Sequence, residues 1–525
     1  MKKLYTLFSF SLICSLANAQ TGPYWATDVA PILYANCTTC HHQGGIAPFS
    51  LMTYNDAVLN SSGMVYDITH GVMPPWPPDT NYTRFCNERK LSASQIQTIS
   101  DWVNNGAQQG NSSQAPTPPT YTNTPVLANA DLVLQMPAYT VNTPTDLYRC
   151  FVMPSGISQN EYITKMEVIP GNRSCVHHVL VYQDQSSTCI NLDNNDPGPG
   201  YTWFGDVGSS TATLIGGWVP GQGVWELPPN MGVELMANTN IIMQIHYPGG
   251  TFNQTDSTQV RFTFSTGVVR TVTLNPVINH FTSLTNGPLH IPADSVKTFY
   301  AQENVLMNST LISIAPHMHL IGHSMINYAV DPSGDTIPLI DINNWSFHWQ
   351  GFYTFRQPVH VPYGSVLYAR AVYDNTSNNP ENPNTPPADV WAGESTTDEM
   401  YIIYYAYLPY QPGDENIIVD STIIQGVQQQ SFSDYVKTPQ LYDAYPVPAA
   451  GNSVLNISYF LPEESKVTVD LTDMSGKVVS VPVKDENTSA GFTSKQVSTD
   501  GLAAGTYLLR LTTDGIVKTK TIVIE

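Results

Sequence analysis

The spacing of apolar residues divides the chain into regions of different secondary structure. Between residues 24 and 108 apolar side chains recur at the three- and four-residue intervals of helices, beginning after Thr27, a candidate N-cap. Ser92 and Gln95 have the spacing of a capping box, and Gly106 stands where that helix should end. The pattern predicts a small helical domain.

From about residue 130 the period changes to the alternation of β-strands. Strands are predicted at residues 131–135, 162–169, 176–182, 241–247, 260–264 and 401–407, with turn clusters such as Asn194-Asn-Asp-Pro-Gly-Pro-Gly200 between them. A β region of this length is most economically two packed sandwiches. A second group, at residues 454–460, 466–471, 506–511 and 518–524, predicts a separate C-terminal β unit.

These patterns predict a mainly β multi-domain protein with one small helical domain and three β-sandwich domains. Residues 111–120 are polar and proline-rich, as in linkers. The boundary between the first two sandwiches, near 275–285, follows from length alone. The predicted division is a leader at 1–19, a helical domain at 20–110, a Pro/Thr-rich linker at 111–128, β domains at 129–280 and 281–430, and a C-terminal β domain at 441–525.

The first residues indicate export. Lys2 and Lys3 precede an apolar run that ends in Ala17-Asn-Ala19, which is typical of a signal peptide cleaved after Ala19. Cys14 would suit a lipoprotein, but Ile13 before it is not the small residue which that processing needs. No later run approaches a membrane span. The net charge of −21 also disfavours nucleic acid as a partner.

Cys37-Thr-Thr-Cys40-His41 has the spacing that attaches a c-type haem. Two thiols one helical turn apart can reach both vinyl groups of a porphyrin, and His41 supplies an iron ligand. A redox or disulfide C-x-x-C is the alternative. For the second axial ligand Met73, in Gly71-Val-Met-Pro-Pro-Trp76, is favoured because the prolines can hold its loop rigidly; the rivals are Met52, Met64, His42 and His70.

The same segment, with Gly45-Ile-Ala-Pro-Phe49, resembles the monohaem cytochrome c domains fused to bacterial copper enzymes. The resemblance implies one covalently attached haem c. Four cysteines then remain after the leader, which allows three disulfide pairings: Cys86, Cys150, Cys175 and Cys189. Cys86 lies outside the haem-domain pattern.

Five of the thirteen histidines fall in three short strand contexts. His317 and His319 are two apart, so on a strand they project from the same face and can chelate one metal. His177 and His178 are adjacent and should face opposite ways unless the strand is bulged or strongly twisted. A lone strand histidine is more often a satisfied core or surface residue. Imidazole and thioether donors together suit copper better than zinc.

The order HH, Q-x-H-Y, H-x-H-x-x-G and D-E-M resembles the copper type II ascorbate-dependent monooxygenases, which include peptidylglycine α-hydroxylating and dopamine β-monooxygenases. The resemblance implies two copper ions, one that receives electrons and one that binds O2 and attacks a substrate C–H bond. The implied ligands are His177, His178 and His246 for the first ion, and His317, His319 and Met400 for the second.

Further implications follow from the same resemblance. Leu147-Tyr-Arg-Cys150 matches a family landmark and implies a Cys150–Cys189 disulfide. Tyr404 matches a tyrosine near the substrate, although a core aromatic is an equally good interpretation. Where the peptide-amidating relatives carry an arginine that clamps a substrate carboxylate, this chain has Ala315, so a glycine-extended peptide is disfavoured.

Three C-terminal segments resemble the sorting domain of the type IX secretion system: Tyr445-Pro-Val-Pro448, Asp473-Met-Ser-Gly476 and Gly501-Leu-Ala-Ala-Gly-Thr-Tyr507. Val447 departs from the usual asparagine, and a generic ligand-binding sandwich is the alternative. The resemblance implies passage through the periplasm and across the outer membrane by the type IX machinery, to the cell surface or beyond.

The combined expectation is an exported copper monooxygenase that hydroxylates a small organic substrate with O2. Its electrons would come through the fused haem, or from ascorbate or another redox partner. The alternative is a non-catalytic electron-transfer or copper-binding surface protein.

Overall fold

The computed structural model describes residues 22–45, 47–121, 125–419 and 439–524, except positions 442, 443, 445, 446, 448, 450, 452, 453, 463 and 490. The predicted signal peptide at 1–19 lies outside these residues. The protein is 43% strand and 11% helix, which confirms the mainly β fold class. Within the described ranges no helix is long and apolar enough to cross a membrane.

One compact unit comprises the residues up to Pro74 together with Arg89–Tyr121. It is helical: a π-helical turn, Trp25–Val29, leads into α1 (Ala30–Asn36), followed by α2 (Tyr54–Leu59), α3 (Ser61–Thr69) and α4 (Ala93–Asn104). Apolar faces of all four helices form one core, with Trp102 fully buried at its centre.

The predicted caps of these helices are partly confirmed. The Ser92 hydroxyl accepts from Gln95 N, and the Gln95 side chain accepts from Ser92 N, which completes the capping box of α4. Gly106 has the positive φ of +83° that ends a helix. Thr27 is not a cap, because the helical turn already begins at Trp25 and the Thr27 hydroxyl donates to Asp28 instead.

The second unit comprises Pro75–Glu88 and the chain from residue 122 onward. In chain order its elements are β1 (Leu132–Gln135), β2 (Tyr139–Thr143), β3 (Leu147–Pro154), β4 (Glu161–Ile169), β5 (His178–Asp184), α5 (Thr188–Asn195), β6 (Tyr201–Thr202), β7 (Thr213–Trp218), β8 (Trp225–Glu226), β9 (Met231–Leu235), β10 (Asn240–Tyr247), β11 (Thr251–Asp256), β12 (Gln259–Phe264), β13 (Arg270–Thr271), β14 (Thr273–Asn279), β15 (His290–Ile291), β16 (Ser295–Asn304), β17 (Ser309–His317), β18 (Gly322–Val330), β19 (Thr336–Ile342), β20 (Tyr353–Val361), β21 (Val366–Asn375), β22 (Val390–Trp391), β23 (Ile402–Pro409), β24 (Gln440–Leu441), β25 (Val454–Leu461), β26 (Ser465–Asp473), β27 (Val478–Thr488), β28 (Gly491–Ser498), β29 (Gly505–Thr513) and β30 (Ile516–Ile524).

The first β domain packs a sheet of order β1-β12-β4-β9-β13 against one of order β6-β3-β10-β5-β7. Its core is built from inward-facing residues of both sheets, such as Phe151 and Phe262. In the middle of the second sheet β10 pairs antiparallel with both β3 and β5, with His246 opposite Tyr148 and His178. This register carries the first histidine cluster.

The next β domain packs a sheet of order β14-β23-β17-β20 against one of order β16-β21-β18-β19. Most of its core is separate from that of the first domain, but Ile312 of β17 and Ala406 and Leu408 of β23 pack into the first core. Along the chain the first change from one core to the other falls between Leu274 and Ile278. Strand β23 pairs with β17 so that Ala315 lies opposite Tyr404 and His317 opposite Ile402. The C-terminal domain has sheets of order β24-β25-β28 and β27-β26-β29-β30.

Residues Pro75–Glu88, which fall inside the predicted helical domain, pack into the second unit. We call this segment the strap. Phe85 is fully buried in the core of the second β domain, with its ring 5.2 Å from Phe355 and 5.5 Å from Tyr353. Isolated β-bridges pair Phe85 with Phe355 and Pro78 with Ile342. The strap therefore extends this domain at the neighbouring ends of β19 and β20.

We expect Phe85→Ala to destabilise the second β domain by about 3–5 kcal/mol, because the substitution leaves a cavity among aromatic rings. Calorimetric unfolding of the full chain measures the loss. Tyr363→Ala is the matched control, since Tyr363 is largely exposed in the same domain and should change stability by about 0.5 kcal/mol or less. If the two substitutions lower the free energy of unfolding equally, Phe85 of the strap contributes no more to the core than an exposed side chain does.

Candidate metal centre in a shared cavity

The first histidine cluster forms where β5 and β10 pair. His178 is the first residue of β5 and lies opposite His246 of β10. His177 precedes the strand, and its N–H donates to the His246 carbonyl at 2.9 Å. The predicted strand began at Val176, which would make the adjacent histidines diverge. Because β5 starts later, His177 is outside the alternation and its ring turns toward the other two.

The Nδ1 atoms of the three histidine rings point toward one another. His177 Nδ1 lies 3.2 Å from His178 Nδ1 and 3.1 Å from His246 Nδ1. One ligand nitrogen from each ring lies within 4.8 Å of the others. Nitrogens bound about 2 Å from one ion are roughly 3 Å apart, so this spacing fits a shared metal ion. The donor set therefore fits a three-imidazole copper site.

Burial prepares these rings to bind a metal. It lowers the pKa of His177 to about 3 and that of His178 well below its ordinary value, with neighbouring histidines adding to both shifts. A neutral imidazole keeps the lone pair that a metal needs. His246 is fixed from two sides: its ring stacks on Tyr148 at 4.4 Å, and its Nε2 lies 3.3 Å from Asp146 Oδ1, poorly aligned for a regular hydrogen bond.

The second cluster forms at the end of β17, as the two-residue spacing predicts. His317 ends the strand, Met318 is buried in the domain core, and His319 returns to the side of His317, with ring centroids 5.1 Å apart. His317 Nδ1 bonds to Gln350 Oε1 at 2.6 Å, and His319 Nδ1 bonds to the Asp398 carbonyl at 3.1 Å. These acceptors require Nδ1–H in both rings, which leaves each Nε2 free for a metal.

A buried carboxylate joins this histidine pair to the predicted methionine ligand. Glu399 is fully buried. Its Oε2 accepts from His319 N at 2.9 Å and from Met400 N at 3.1 Å, and its Oε1 accepts from Ile321 N at 2.9 Å. Burial raises the pKa of Glu399 to about 8, against the opposing effect of these N–H groups. The carboxylate thus holds the H-x-H turn beside Met400.

Both clusters line one cavity of about 200 Å³. Its wall includes His177 and His178 from the first cluster and His317, His319 and Met400 from the second. Burial lowers the pKa of His317 to about 4 and that of His319 to about 3, so these rings are also neutral. Five of the six predicted copper ligands therefore line a single cavity, and the sixth, His246, lies against His177.

The remaining wall bears on the substrate. Ala315 and Tyr404 lie opposite each other on β17 and β23, and both line the cavity, with Trp218 and Phe352. Burial raises the pKa of Tyr404 to about 12. The lining includes the carboxylates of Asp206 and Glu394 and no lysine or arginine.

The predicted haem segment follows α1. Cys40 N and His41 N both bond to the Cys37 carbonyl, so the two thiols and His41 share one turn, and both cysteines are half-buried. His41 Nδ1 lies 3.2 Å from the Phe49 carbonyl, which leaves Nε2 available to iron. This donor set fits a c-type haem. The second axial ligand stays a prediction, with Met73 half-buried in the turn after α3.

Two rivals of Met73 have other contacts. His42 Nδ1 lies 2.9 Å from the Thr38 carbonyl, and its ring stacks on Tyr121 at 4.3 Å. His70 stacks on Tyr66 at 4.1 Å and bonds to its carbonyl. The His42 ring is therefore held against Tyr121 and the His70 ring against Tyr66, whereas Met64 is part of the apolar core.

The structure holds no disulfide among its described cysteines, so Cys150 and Cys189, predicted to be bonded, are free thiols here. Both are buried beside the Tyr201 hydroxyl. Cys189 Sγ and that hydroxyl each donate to the Val207 carbonyl, and burial, together with the nearby Cys189 thiol, raises the pKa of Cys150. The two cysteines are neighbours, but they stay reduced, and the Cys189 thiol is hydrogen-bonded to the Val207 carbonyl.

Several residues that support the histidines were not predicted from the sequence. Asp146 precedes a recognised motif, and Glu399 lies inside one, yet neither position by itself reveals a partner. Gln350 and Phe347 stand in a segment without any motif. They reach the site only through the fold, so a sequence pattern could have marked Asp146 and Glu399 at most.

Family comparisons divide the chain along the same lines. Residues 132–251 match the model of the copper type II ascorbate-dependent monooxygenase N-terminal domain, and residues 296–423 match that of the C-terminal domain. Residues 443–525 match the secretion system C-terminal sorting domain. No curated protein matches the sequence.

Solved structures give only weak similarities. A β-glucuronidase of Faecalibacterium prausnitzii is 9% identical with a TM-score of 0.14, covering 44% of this chain and 38% of its own. One of Parabacteroides merdae is 10% identical with the same TM-score, covering 44% of this chain and 28% of its own. A DUF4785 family protein of Legionella pneumophila is 10% identical at 0.11, covering 78% and 97%. Such TM-scores do not indicate a shared fold or function.

The centre of the chain therefore carries both the N-terminal and the C-terminal domain of copper type II ascorbate-dependent monooxygenases, as the two family models describe them. The C-terminal sorting domain directs export through the type IX secretion system to the cell surface or the extracellular space.

We expect Glu399→Gln to lower copper affinity at the second cluster by about 10- to 100-fold, because the amide nitrogen would face backbone N–H donors where a carboxylate oxygen accepted. Competition with a copper chelator, read by metal analysis, measures the change. Glu226→Gln alters a carboxylate that is 59% exposed and paired with Lys165, and should bind copper like the wild type. Undiminished affinity in Glu399→Gln would contradict the role of Glu399.

Proposed function

We propose that the protein is an exported copper-dependent monooxygenase that hydroxylates a C–H bond of a small organic substrate. The observation that carries this proposal is that two donor sets border one cavity: the Nδ1 atoms of His177, His178 and His246 converge, and His317, His319 and Met400 all line the cavity wall. Two different redox sites facing one space suit a reaction that needs both electrons and O2.

Bound copper would supply the redox chemistry: two electrons and two protons reduce one oxygen atom of O2 to water, while the other is inserted into the C–H bond. The chain's own residues define where this happens. His177, His178 and His246 would hold the copper that receives electrons, and His317, His319 and Met400 would hold the copper that reacts with O2. Its apolar walls exclude bulk water from the substrate.

The cavity wall limits the substrate class. A free carboxylate is disfavoured, because Ala315 offers no charged partner and the lining contains Asp206 and Glu394 without a lysine or arginine. Trp218 and Phe352 provide apolar and aromatic contacts. We therefore propose a substrate without a free carboxylate, and we propose Tyr404 as a residue in contact with it.

The N-terminal unit is proposed as the electron donor. A haem attached to Cys37 and Cys40, with His41 and Met73 as axial ligands, would deliver one electron at a time. The turn that groups Cys37, Cys40 and His41, and the free Nε2 of His41, support this assignment. Ascorbate or another redox partner is the alternative source of electrons.

A non-catalytic copper-binding or electron-transfer protein is the competing function. A protein of that kind would need the first histidine cluster, but it would not need Met400 beside the histidine pair of the second cluster. Reduction without O2, followed by addition of O2 and a panel of substrates, separates the two functions, since only the enzyme couples O2 uptake to a hydroxylated product.

We expect Met400→Ile to lower hydroxylation by orders of magnitude while the protein stays folded. The two side chains have similar volumes, so the packing loss should be about 1 kcal/mol or less, but isoleucine offers no soft ligand. Product formation is measured beside the haem spectrum and the copper content. Hydroxylation at the wild-type rate would rule out the monooxygenase assignment.

His246→Ala provides the complementary variant. It removes one ligand of the electron-receiving site and should block electron delivery while His317, His319 and Met400 stay assembled. The matched result is loss of product with copper retained at the second cluster. If His246→Ala turns over normally, the division of roles between the two clusters is wrong.

We expect the mature protein to retain its haem after denaturation, because thioether bonds hold it. A pyridine haemochrome assay on the acid-acetone pellet measures the retained haem. Cys37→Ser with Cys40→Ser should abolish covalent attachment, whereas Cys86→Ser should leave it unchanged, since Cys86 lies outside the motif. Extractable haem in the unaltered protein would contradict covalent attachment.

A further inference from the structure

The segment between β19 and β20, residues 343–352, contacts both histidine clusters; we call it the bridging loop. Its Gln350 Oε1 accepts from His317 Nδ1 at 2.6 Å. The Phe347 ring centroid lies 5.9 Å from that of His319 and 6.3 Å from that of His177. One short loop thus orients a ligand of the second cluster and packs an aromatic ring between the two clusters.

The bridging loop has few hydrogen bonds of its own. Gln350 Nε2 donates to the Phe347 carbonyl at 2.9 Å, which ties these two side chains into one arrangement. The Trp345 N–H donates to the His323 carbonyl at 2.7 Å. The loop also has a turn bond from Trp349 N to the Ser346 carbonyl at 3.2 Å and a His348–Glu381 pair at 3.6 Å, but no strand pairing, so its position also depends on the segments at its ends.

The strap is bonded at both of these ends. At the first, Asp79 N donates to the Asp341 carbonyl at 2.7 Å, next to the bridge between Pro78 and Ile342. At the second, Cys86 N donates to the Thr354 carbonyl at 2.7 Å. The strap is therefore hydrogen-bonded to the residues that flank the bridging loop on both sides, Asp341 before it and Thr354 after it.

A buried charge network fixes the strap to β20. The Glu88 side chain is 2% exposed and pairs with Arg84 at 2.7 Å and with Arg356 at 3.5 Å. Arg356 Nε also donates to the Phe85 carbonyl at 3.0 Å. Loss of the Glu88 charge would leave two arginines beside each other without their shared partner, which strongly weakens such a network.

We infer that the strap is a positioning element of the metal centre. Because it is bonded to both flanks of the bridging loop, it keeps Gln350 and Phe347 in contact with the histidines. The chain continues into the helical unit at both ends of the strap, at Pro74 and at Arg89. The monooxygenase module is thus complete only with a segment encoded inside the predicted cytochrome domain. Measurements of copper affinity depend on the proposed copper sites, whereas measurements of hydrogen exchange do not.

The first arm follows hydrogen exchange of the full-length, copper-free protein by mass spectrometry. In Glu88→Gln, exchange of residues 343–352 should rise by about tenfold or more, while β10 and β17 keep their protection. Asp414→Asn is the matched control: it alters another buried carboxylate, paired with Arg270 and bonded to Thr310 at the far end of β20. It should leave exchange of the bridging loop unchanged.

The second arm measures copper affinity by chelator competition, with the electron paramagnetic resonance spectrum as a signature of each site. Glu88→Gln should lower affinity at the His317 cluster by about 10- to 100-fold, as expected when an oriented ligand loses its partner. Gln350→Leu should reproduce that loss and leave the exchange of the strap unaltered.

Three outcomes would overturn the inference. In one, Glu88→Gln and Asp414→Asn lower thermal stability alike and neither changes exchange of the bridging loop. In another, the loop loosens and copper affinity and spectrum do not change. In the third, Gln350→Leu binds copper like the wild type. None of these readouts requires a substrate, so a failure to detect hydroxylation would count against the proposed function and not against the role of the strap.

Discussion

The second cluster depends on one buried interaction, in which the Glu399 side chain accepts backbone N–H groups from both the H-x-H turn and the methionine loop. His319 and Met400 are far apart in the sequence, yet one carboxylate oxygen bonds to the N–H of each. A buried carboxyl group without such donors would be strongly unfavourable. The fold therefore needs the H-x-H turn and the methionine loop to meet at this oxygen, and their meeting brings His317, His319 and Met400 to one cavity wall.

The second constraint is that each buried imidazole must divide its two nitrogens between the protein and the metal. In the second cluster Gln350 and the Asp398 carbonyl accept from Nδ1, so Nε2 faces the cavity. In the first cluster the Nδ1 atoms converge instead. Identical residue types thus form two different sites, because the surrounding acceptors differ. This difference suits a centre in which one ion passes electrons and the other reacts with O2.

The division of the chain into functional modules does not coincide with its division into packed units. The strap lies within the cytochrome-like sequence but packs its Phe85 into the second β domain. Excision of the copper module at the predicted linker would remove this part of its core. The family matches at residues 132–251 and 296–423 also differ from the packed cores, since the first core includes Phe262 and Leu274 beyond the first match and Ile312 within the second. The reason is that a sequence motif marks residues that bind a ligand, whereas apolar burial is non-directional and can include any apolar segment that lies against the core.

The sequence by itself determined the mainly β fold class, the two copper monooxygenase domains and the C-terminal sorting domain, and it proposed the histidines and the methionine of the two clusters. Strand alternation and capping boxes act over a few residues, so their signals are local; the same-face projection of His317 and His319 follows from strand geometry. Only the tertiary structure decided that β5 begins at His178, which turns His177 toward His246, and that Cys150 and Cys189 face the Tyr201 hydroxyl as thiols. Asp146, Gln350 and the strap were equally hidden, because their partners are set by strand pairing between distant segments and not by neighbouring residues.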